Sequence, residues 1–226
     1  MAHTALLFFS RTAADEATVK TFSQHIGKKG NTTISQYLIK QSLATLQKTN
    51  LPVLSSCSSA QTGDSFGERL ANAIESVYAK GYQKVIVIGN DCPSISADLL
   101  LEVSQELENE RLILGPSTDG GVYLIGITKN AYNRQKFIAL PWQESNLQSE
   151  WQNYANQVST KINWLQSHFD IDNTTDFKRL IKTLPFHSLL RKQCISILAS
   201  AQTSSFPNSS FHKTVFTSSN LSLRAP

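Results

Sequence analysis

No apolar run in the 226 residues approaches the roughly 20 that a membrane-crossing helix needs, so no such span organises the chain. The three cysteines, Cys57, Cys92 and Cys194, lie far apart without a CxxC pair. They support neither a disulfide framework nor a zinc site, and a reduced, cytoplasmic protein is the simplest reading. Charged residues are only 17% of the chain, and its Lys and Arg are scattered, so the net charge of +4 forms no basic stripe. Nucleic acid is therefore not an expected partner. The start, Met1 to Phe9, lacks a charged leader with a small-residue cleavage site and reads as a strand. No internal repeat occurs. One domain over residues 1–200 is expected, then a Ser/Thr/Asn-rich tail over 201–226.

What is present centres on Val85-Ile86-Val87-Ile88-Gly89-Asn90-Asp91-Cys92-Pro93. The apolar run reads as a strand buried on both faces, and Gly89, Asn90 and Pro93 end it. Asp91 is left at the carboxyl end of a central parallel strand, the edge where open α/β sheets bind ligands. Arg111–Leu114 predicts another strand, followed by a turn at Asp119-Gly120-Gly121 and a strand over Val122–Ile127. Two carboxylates on neighbouring strand ends suit a cation and a phosphate.

Ala5–Phe9 is the first strand, and Thr12–Thr18 reads as a loop before Val19-Lys20-Thr21. Arg11 and Lys20 could hold a phosphate there, but Ala13 to Ala17 contain no glycine, and Asp15 and Glu16 repel an anion. Helical spacing covers Thr33–Lys48, and Pro52–Ser55 is a second strand. Gln61 to Arg69, with Gly63 and Gly67, opens a helix that Gly81 ends. Its glycine-bearing start serves either as an anion site or as a plain cap. Ser96 caps a helix to Leu107. Trp142, Leu147, Trp151 and Tyr154 belong to a core-packed loop and helix, and Ile162–Leu165 is a late strand. Asp170 and Asp172 alternate along an extended segment and share a face, whereas Asp176 suits the first turn of a helix over Phe177–Thr183. Cys92 reads as a small apolar turn residue and His168 as a surface or capping residue.

Four stretches occur in order: QTGDSFGERL at 61–70, VIVIGNDCP at 85–93, LGPSTDGGVYLIG at 114–126 and FDIDNTTDF at 169–177. Together they resemble a bacterial family of glycosyltransferase-like proteins associated with radical-SAM or selenium domains, within the GT-A nucleotide-diphospho-sugar transferase superfamily. The resemblance spans roughly the first 180 residues. It implies a single-domain, Rossmann-like three-layer sandwich with a mixed, mostly parallel sheet. It also implies Mg²⁺ or Mn²⁺ and a nucleotide or nucleotide-sugar donor, with an unspecified small-molecule acceptor. Asp91 matches the family's metal-associated carboxylate, Asp119 its Asp-Gly-Gly turn, and Asp170 with Asp172 its late Asp-x-Asp. The resemblance makes Asp91 and Asp119 catalytic candidates, and Asp91, Asp170 and Asp172 metal candidates. Arg11, Lys20, Thr21, Gln61, Gly67, Arg69, Asn90, Gly120 and Gly121 become candidates for the nucleotide.

The first loop departs from the family pattern, lacking its Pro and Gly positions and carrying Phe22-Ser23 where Arg-Leu is usual. That removes a guanidinium able to grip phosphate with two bonds. Two functions follow. One is a metal-dependent glycosyl or nucleotidyl transferase, in which a hard cation offsets charge on phosphate oxygens. The other is a nucleotide-binding or regulatory protein that keeps the fold without efficient catalysis.

Overall fold

The computed structural model describes residues 4–109 and 111–203. Its elements run β1 (Thr4–Ser10), α1 (Ala13–Val19), α2 (Gly27–Gln47), β2 (Val53–Cys57), α3 (Phe66–Ala79), β3 (Lys84–Ile88) and α4 (Ala97–Glu106). Then follow β4 (Leu112–Pro116), β5 (Val122–Thr128), α5 (Arg134–Ile138), α6 (Leu147–Gln157), β6 (Ile162–Trp164), α7 (Thr174–Thr183) and α8 (Leu189–Thr203).

The strands form one sheet in the order β2-β1-β3-β5-β4-β6. Only β5 runs against the rest, pairing antiparallel with both β3 and β4. Period-two alternation divides the strand side chains between two helical layers. Ala5, Leu7, Val85, Val87, Leu114 and Ile125 pack with Ile74 and Val77 of α3 and Trp151 of α6. Leu6, Phe8, Ile86, Ile88 and Ile113 face the other way, toward Leu46 of α2 and Leu100 and Val103 of α4. This is the expected α/β sandwich with a mixed, mostly parallel sheet. A satellite cluster of Phe22, Ile34, Leu38, Phe177, Leu180 and Cys194 fastens α7 and α8 to α2. Among the described residues, no helix is long and apolar enough to cross a membrane.

Several sequence expectations need correction. The segment read as a loop over 12–18 is mostly α1, capped by Thr12, whose hydroxyl accepts from Asp15 N. The second helix begins at Gly27, and α7 begins at Thr174 with Asn173 as its cap. Asp176 lies in that helix's first turn, where its carboxylate accepts from Asp172 N at 3.4 Å. β3 and β4 are not neighbours, because β5 is inserted between them. Helices α5 and α8 had no counterpart in the sequence reading. α8 carries the chain to Thr203, past the expected boundary at 200, and residues 204–226 of the expected tail lie outside the described residues.

Candidate active site

The carboxyl ends of β1, β2 and β3 and the beginning of β5 open on one cavity of about 760 Å³. Its apolar lining comes from Phe9 of β1, Phe66 and Leu70 of α3, and Trp142 from the segment joining α5 to α6. Phe66 meets the Phe9 ring edge to face at 5.7 Å and lies tilted against Trp142 at 5.5 Å. Gly67 lies under Trp142 and allows this approach: a Cβ there would sit 2.6 Å from the indole Cδ1. The Ser65–Glu68 capping box fixes the start of α3 beside the cavity.

Its polar lining is acidic. Asp15, Glu16, Asp91, Asp119, Glu144 and Asp170 line the cavity, against the cations Arg11 and Arg69. Behind Asp91, the Lys20 ammonium lies 2.5 Å from Asp91 Oδ1, 2.8 Å from Asp172 Oδ1 and 2.9 Å from Glu16 Oε1. It also donates to the Ile171 carbonyl at 3.1 Å. The Lys20 and Glu16 side chains are 7% and 2% exposed, whereas Asp91 and Asp172 are 41% and 48% exposed. Burial alone would lower the lysine pKa, but Asp91, Glu16 and Asp172 outweigh it and hold the ammonium firmly charged. Asp91 is raised above the ordinary carboxylate range by desolvation; Lys20 opposes the rise and Glu16 and Asp172 add to it.

Asp170 is brought to this edge by the late segment. His168 bridges to Ser117 in parallel register, Tyr123 donates its hydroxyl to the Gln166 carbonyl at 3.0 Å, and Ile171 N donates to the Asp91 carbonyl at 2.9 Å. Ile171 points into the satellite core, leaving Asp170 on the cavity wall and Asp172 on Lys20. Burial pushes Asp170 up to about 7, and the neighbouring charges of Asp91, Asp119 and Asp172 reinforce the rise. Among the described residues, Asp170 Oδ1, Ser117 Oγ and Asn90 Nδ2 are buried without a hydrogen-bond partner.

Of the residues singled out from sequence, Arg11, Gln61, Arg69, Asn90, Asp91, Asp119, Gly121 and Asp170 line the cavity. Gln61 spends its amide on the Ser10 and Ser56 carbonyls. Asp119 accepts from Gly121 N at 3.0 Å, so it shapes its own turn while facing the cavity. Lys20 and Asp172 stand behind the wall, and Gly67 and Gly120 shape it. Thr21 lies apart: its carbonyl accepts from the Thr174 hydroxyl. The sequence reading did not include Glu16, Phe9 or Phe66 as site residues. The signal for Glu16 was its i,i+4 spacing to Lys20, meaningful once α1 is a helix. Cys92 is 4% exposed, and burial raises its thiol to about 11, which fits an inert turn residue. His168 has its imidazole pKa lowered by burial; its Nδ1 meets the Ser94 hydroxyl at 3.0 Å.

No group of three or more His, Cys, Asp or Glu forms a ready metal cage among the described residues. Mg²⁺ asks less, commonly one or two carboxylates with water and substrate phosphate completing the sphere. Asp91 and Asp170 fit that count, and the unpartnered Asp170 Oδ1 supplies an uncommitted oxygen.

Residues 38–144 match the sequence profile of a family described as "Uncharacterized protein conserved in bacteria (DUF2064)". No curated protein matches the chain. A solved structure from Desulfovibrio desulfuricans G20, provisionally named a nucleotide-diphospho-sugar transferase, aligns at TM-score 0.76 with 18% identity, covering 90% of this chain and 98% of that one. The Mycobacterium tuberculosis H37Rv protein Rv0371c, complexed with manganese, aligns at TM-score 0.44 and 10% identity, over 80% of this chain and 99% of that one. A CMP:2-keto-3-deoxy-manno-octonic acid synthetase complexed with CTP aligns at 0.46 and 11%, over 78% and 96%. At these identities the first of these similarities establishes the fold alone, and the chain shares the α/β fold of that Desulfovibrio protein.

Proposed function

We propose that the protein is a metal-dependent transferase acting on a nucleotide or nucleotide-diphospho-sugar. The observation that carries this reading is the Asp91–Asp170 pair on the wall of a 760 Å³ cavity, with Asp170 Oδ1 buried and unpartnered. Asp91 and Asp170 would hold Mg²⁺ or Mn²⁺, which supplies charge neutralisation at phosphate oxygens when bound. Phe9, Phe66 and Trp142, on the wall of the same cavity, offer a flat base the apolar, π-rich contact it needs. Asn90 Nδ2 is a donor in need of an acceptor, which a phosphate or sugar oxygen provides. Asp119 faces the same cavity and can orient an acceptor hydroxyl or take its proton.

Calorimetric titration of nucleoside triphosphates and of UDP-, GDP- and dTDP-sugars, with and without Mn²⁺, tests this in wild type and Asp91→Asn. Metal-dependent binding lost in the variant is the expected result, and the preferred ligand separates nucleotidyl from glycosyl transfer. Absence of binding to every ligand overturns the reading. The engagement of Lys20 by three carboxylates favours a second reading, a binding protein without efficient catalysis. It predicts saturable binding without product.

A further inference from the structure

Glu16 has no place in the transferase reading as it stands. A carboxylate at 2% exposure must be compensated, and Glu16 is, by Lys20 at 2.9 Å and by Arg11 at 3.5 Å. The compensation works in both directions. Lys20 donates to Asp91 and to the Ile171 carbonyl and pairs ionically with Glu16 and Asp172, all within the protein. Arg11, one of the two cations on the cavity wall, leans on the same carboxylate. A polyphosphate arriving alone would meet Asp15, Asp91, Asp119 and Asp170, with Lys20 committed behind the wall and Arg69 the lining cation that Glu16 does not hold.

Resting on the nucleotide reading above, we propose that Glu16 is a specificity-setting residue that makes the cleft refuse free polyphosphate and accept it only with a divalent cation. By holding Arg11 and Lys20, Glu16 keeps the acidic lining in net need of positive charge. A cation offsets that charge at Asp91 and Asp170, and polyphosphate binding follows. A purely structural Glu16, present only to neutralise Lys20, would affect stability without altering the dependence of polyphosphate binding on metal.

The test uses inorganic tripolyphosphate and a nucleoside triphosphate as probes, each titrated in EDTA and in Mn²⁺, with intrinsic tryptophan fluorescence as a second readout. The proteins are wild type, Glu16→Gln, Glu16→Asp, which keeps the charge, and Glu102→Gln, which removes an exposed charge on α4. Wild type is expected to bind at least roughly 100-fold more tightly with Mn²⁺ than with EDTA. Glu16→Gln should gain roughly tenfold in EDTA, the scale of one unit charge removed a few ångströms from phosphate at a partly screened site. Glu16→Asp and Glu102→Gln should keep the wild-type ratio. If wild type binds tripolyphosphate equally with and without Mn²⁺, the proposal is overturned while the nucleotide reading stands. An EDTA affinity in Glu16→Gln no higher than in Glu102→Gln also overturns it. If neither probe binds any protein under any condition, both readings fall. Should Glu16→Gln not fold, the wild-type ratio decides: a ratio near one is enough to reject the idea.

Discussion

Replacing Lys20 with Met isolates the ion network, because the thioether fills the lysine stem's space and removes only the charge. The Lys20–Glu16 pair is buried at both ends, and stripping one partner from such a pair typically costs about 3–5 kcal/mol. Asp91 and Asp172 are 41% and 48% exposed, so solvent screens them and each adds at most roughly 1 kcal/mol. A loss of about 4 kcal/mol at pH 7.5 in EDTA is expected. For a chain of this length that corresponds to a fall of about 10 °C in unfolding temperature.

The sign of the pH dependence follows from which charges remain. In wild type the lysine is charged in both the folded and the unfolded states at neutral pH, so its stabilisation is fully present there. In the variant, Asp91 loses the cation that opposed its rise while Glu16 and Asp172 remain beside it, so its folded pKa climbs further above its unfolded one. A raised carboxylate destabilises the fold as pH climbs through that window, so the deficit should shrink between pH 7.5 and pH 5. Mn²⁺ should stabilise the variant more than wild type. The double variant Lys20→Met/Glu16→Gln should recover more than half of the loss. Urea unfolding across pH checks each of these points. A loss under about 1 kcal/mol, or one that does not change with pH, would mean the network is solvated and the reasoning wrong.

Asp170→Asn should become progressively more stable than wild type as pH rises from about 4 to about 7, because the wild-type carboxylate, held near 7 in the fold, must ionise in a buried place. A rise of about three units at 1.36 kcal/mol each bounds the gain at roughly 4 kcal/mol, read by urea unfolding at pH 5 and pH 8 without metal; a gap independent of pH refutes it. Gly67→Ala should dislodge Trp142 from its hydrogen bond to the Phe137 carbonyl at 2.9 Å, seen as a red-shifted tryptophan emission and weaker ligand binding. Gly120→Ala should cost about 2 kcal/mol, since φ is +98° and the added Cβ meets the Ser145 carbonyl. Ser65→Ala removes the acceptor of Glu68 N and should cost about 1 kcal/mol by thermal unfolding.

The strands were legible because both faces of the sheet are covered, so Val85–Ile88 and Val122–Ile127 read as continuous apolar runs. Helix α1 escaped because it has no apolar stripe: Val19 is 60% exposed, and the rest of the helix is Ala, Thr, Asp and Glu. Its signal was the cap, Thr12 followed three residues later by Asp15. Insertion of β5 between β3 and β4 could not be read, since alternation sets the faces of a strand but not its neighbours. The aromatic lining was hidden for a related reason. Phe9 and Phe66 are far apart in sequence and meet only because α3 packs across β1.

That insertion also explains how two carboxylates flanking a single residue come to serve different purposes. With β5 reversed, its first residues, Val122 and Tyr123, lie at the same edge as the ends of β1 and β3. Tyr123 then reaches the Gln166 carbonyl, and the bridge from Ser117 to His168 fixes the late segment alongside β4. From that anchor the chain runs past Asp91, whose carbonyl accepts from Ile171 N. Ile171 is buried in the satellite core at 0% exposure, and the aspartates on either side of it turn to different partners. The advance along the chain then separates them: Asp172 meets Lys20, and Asp170 stops short with an unpartnered oxygen. The proposed cation and the lysine therefore do not compete for the same three carboxylates. Asp91 alone is shared, one oxygen on the ammonium, so it is the residue through which occupancy of the cavity is felt by Lys20, Glu16 and Arg11.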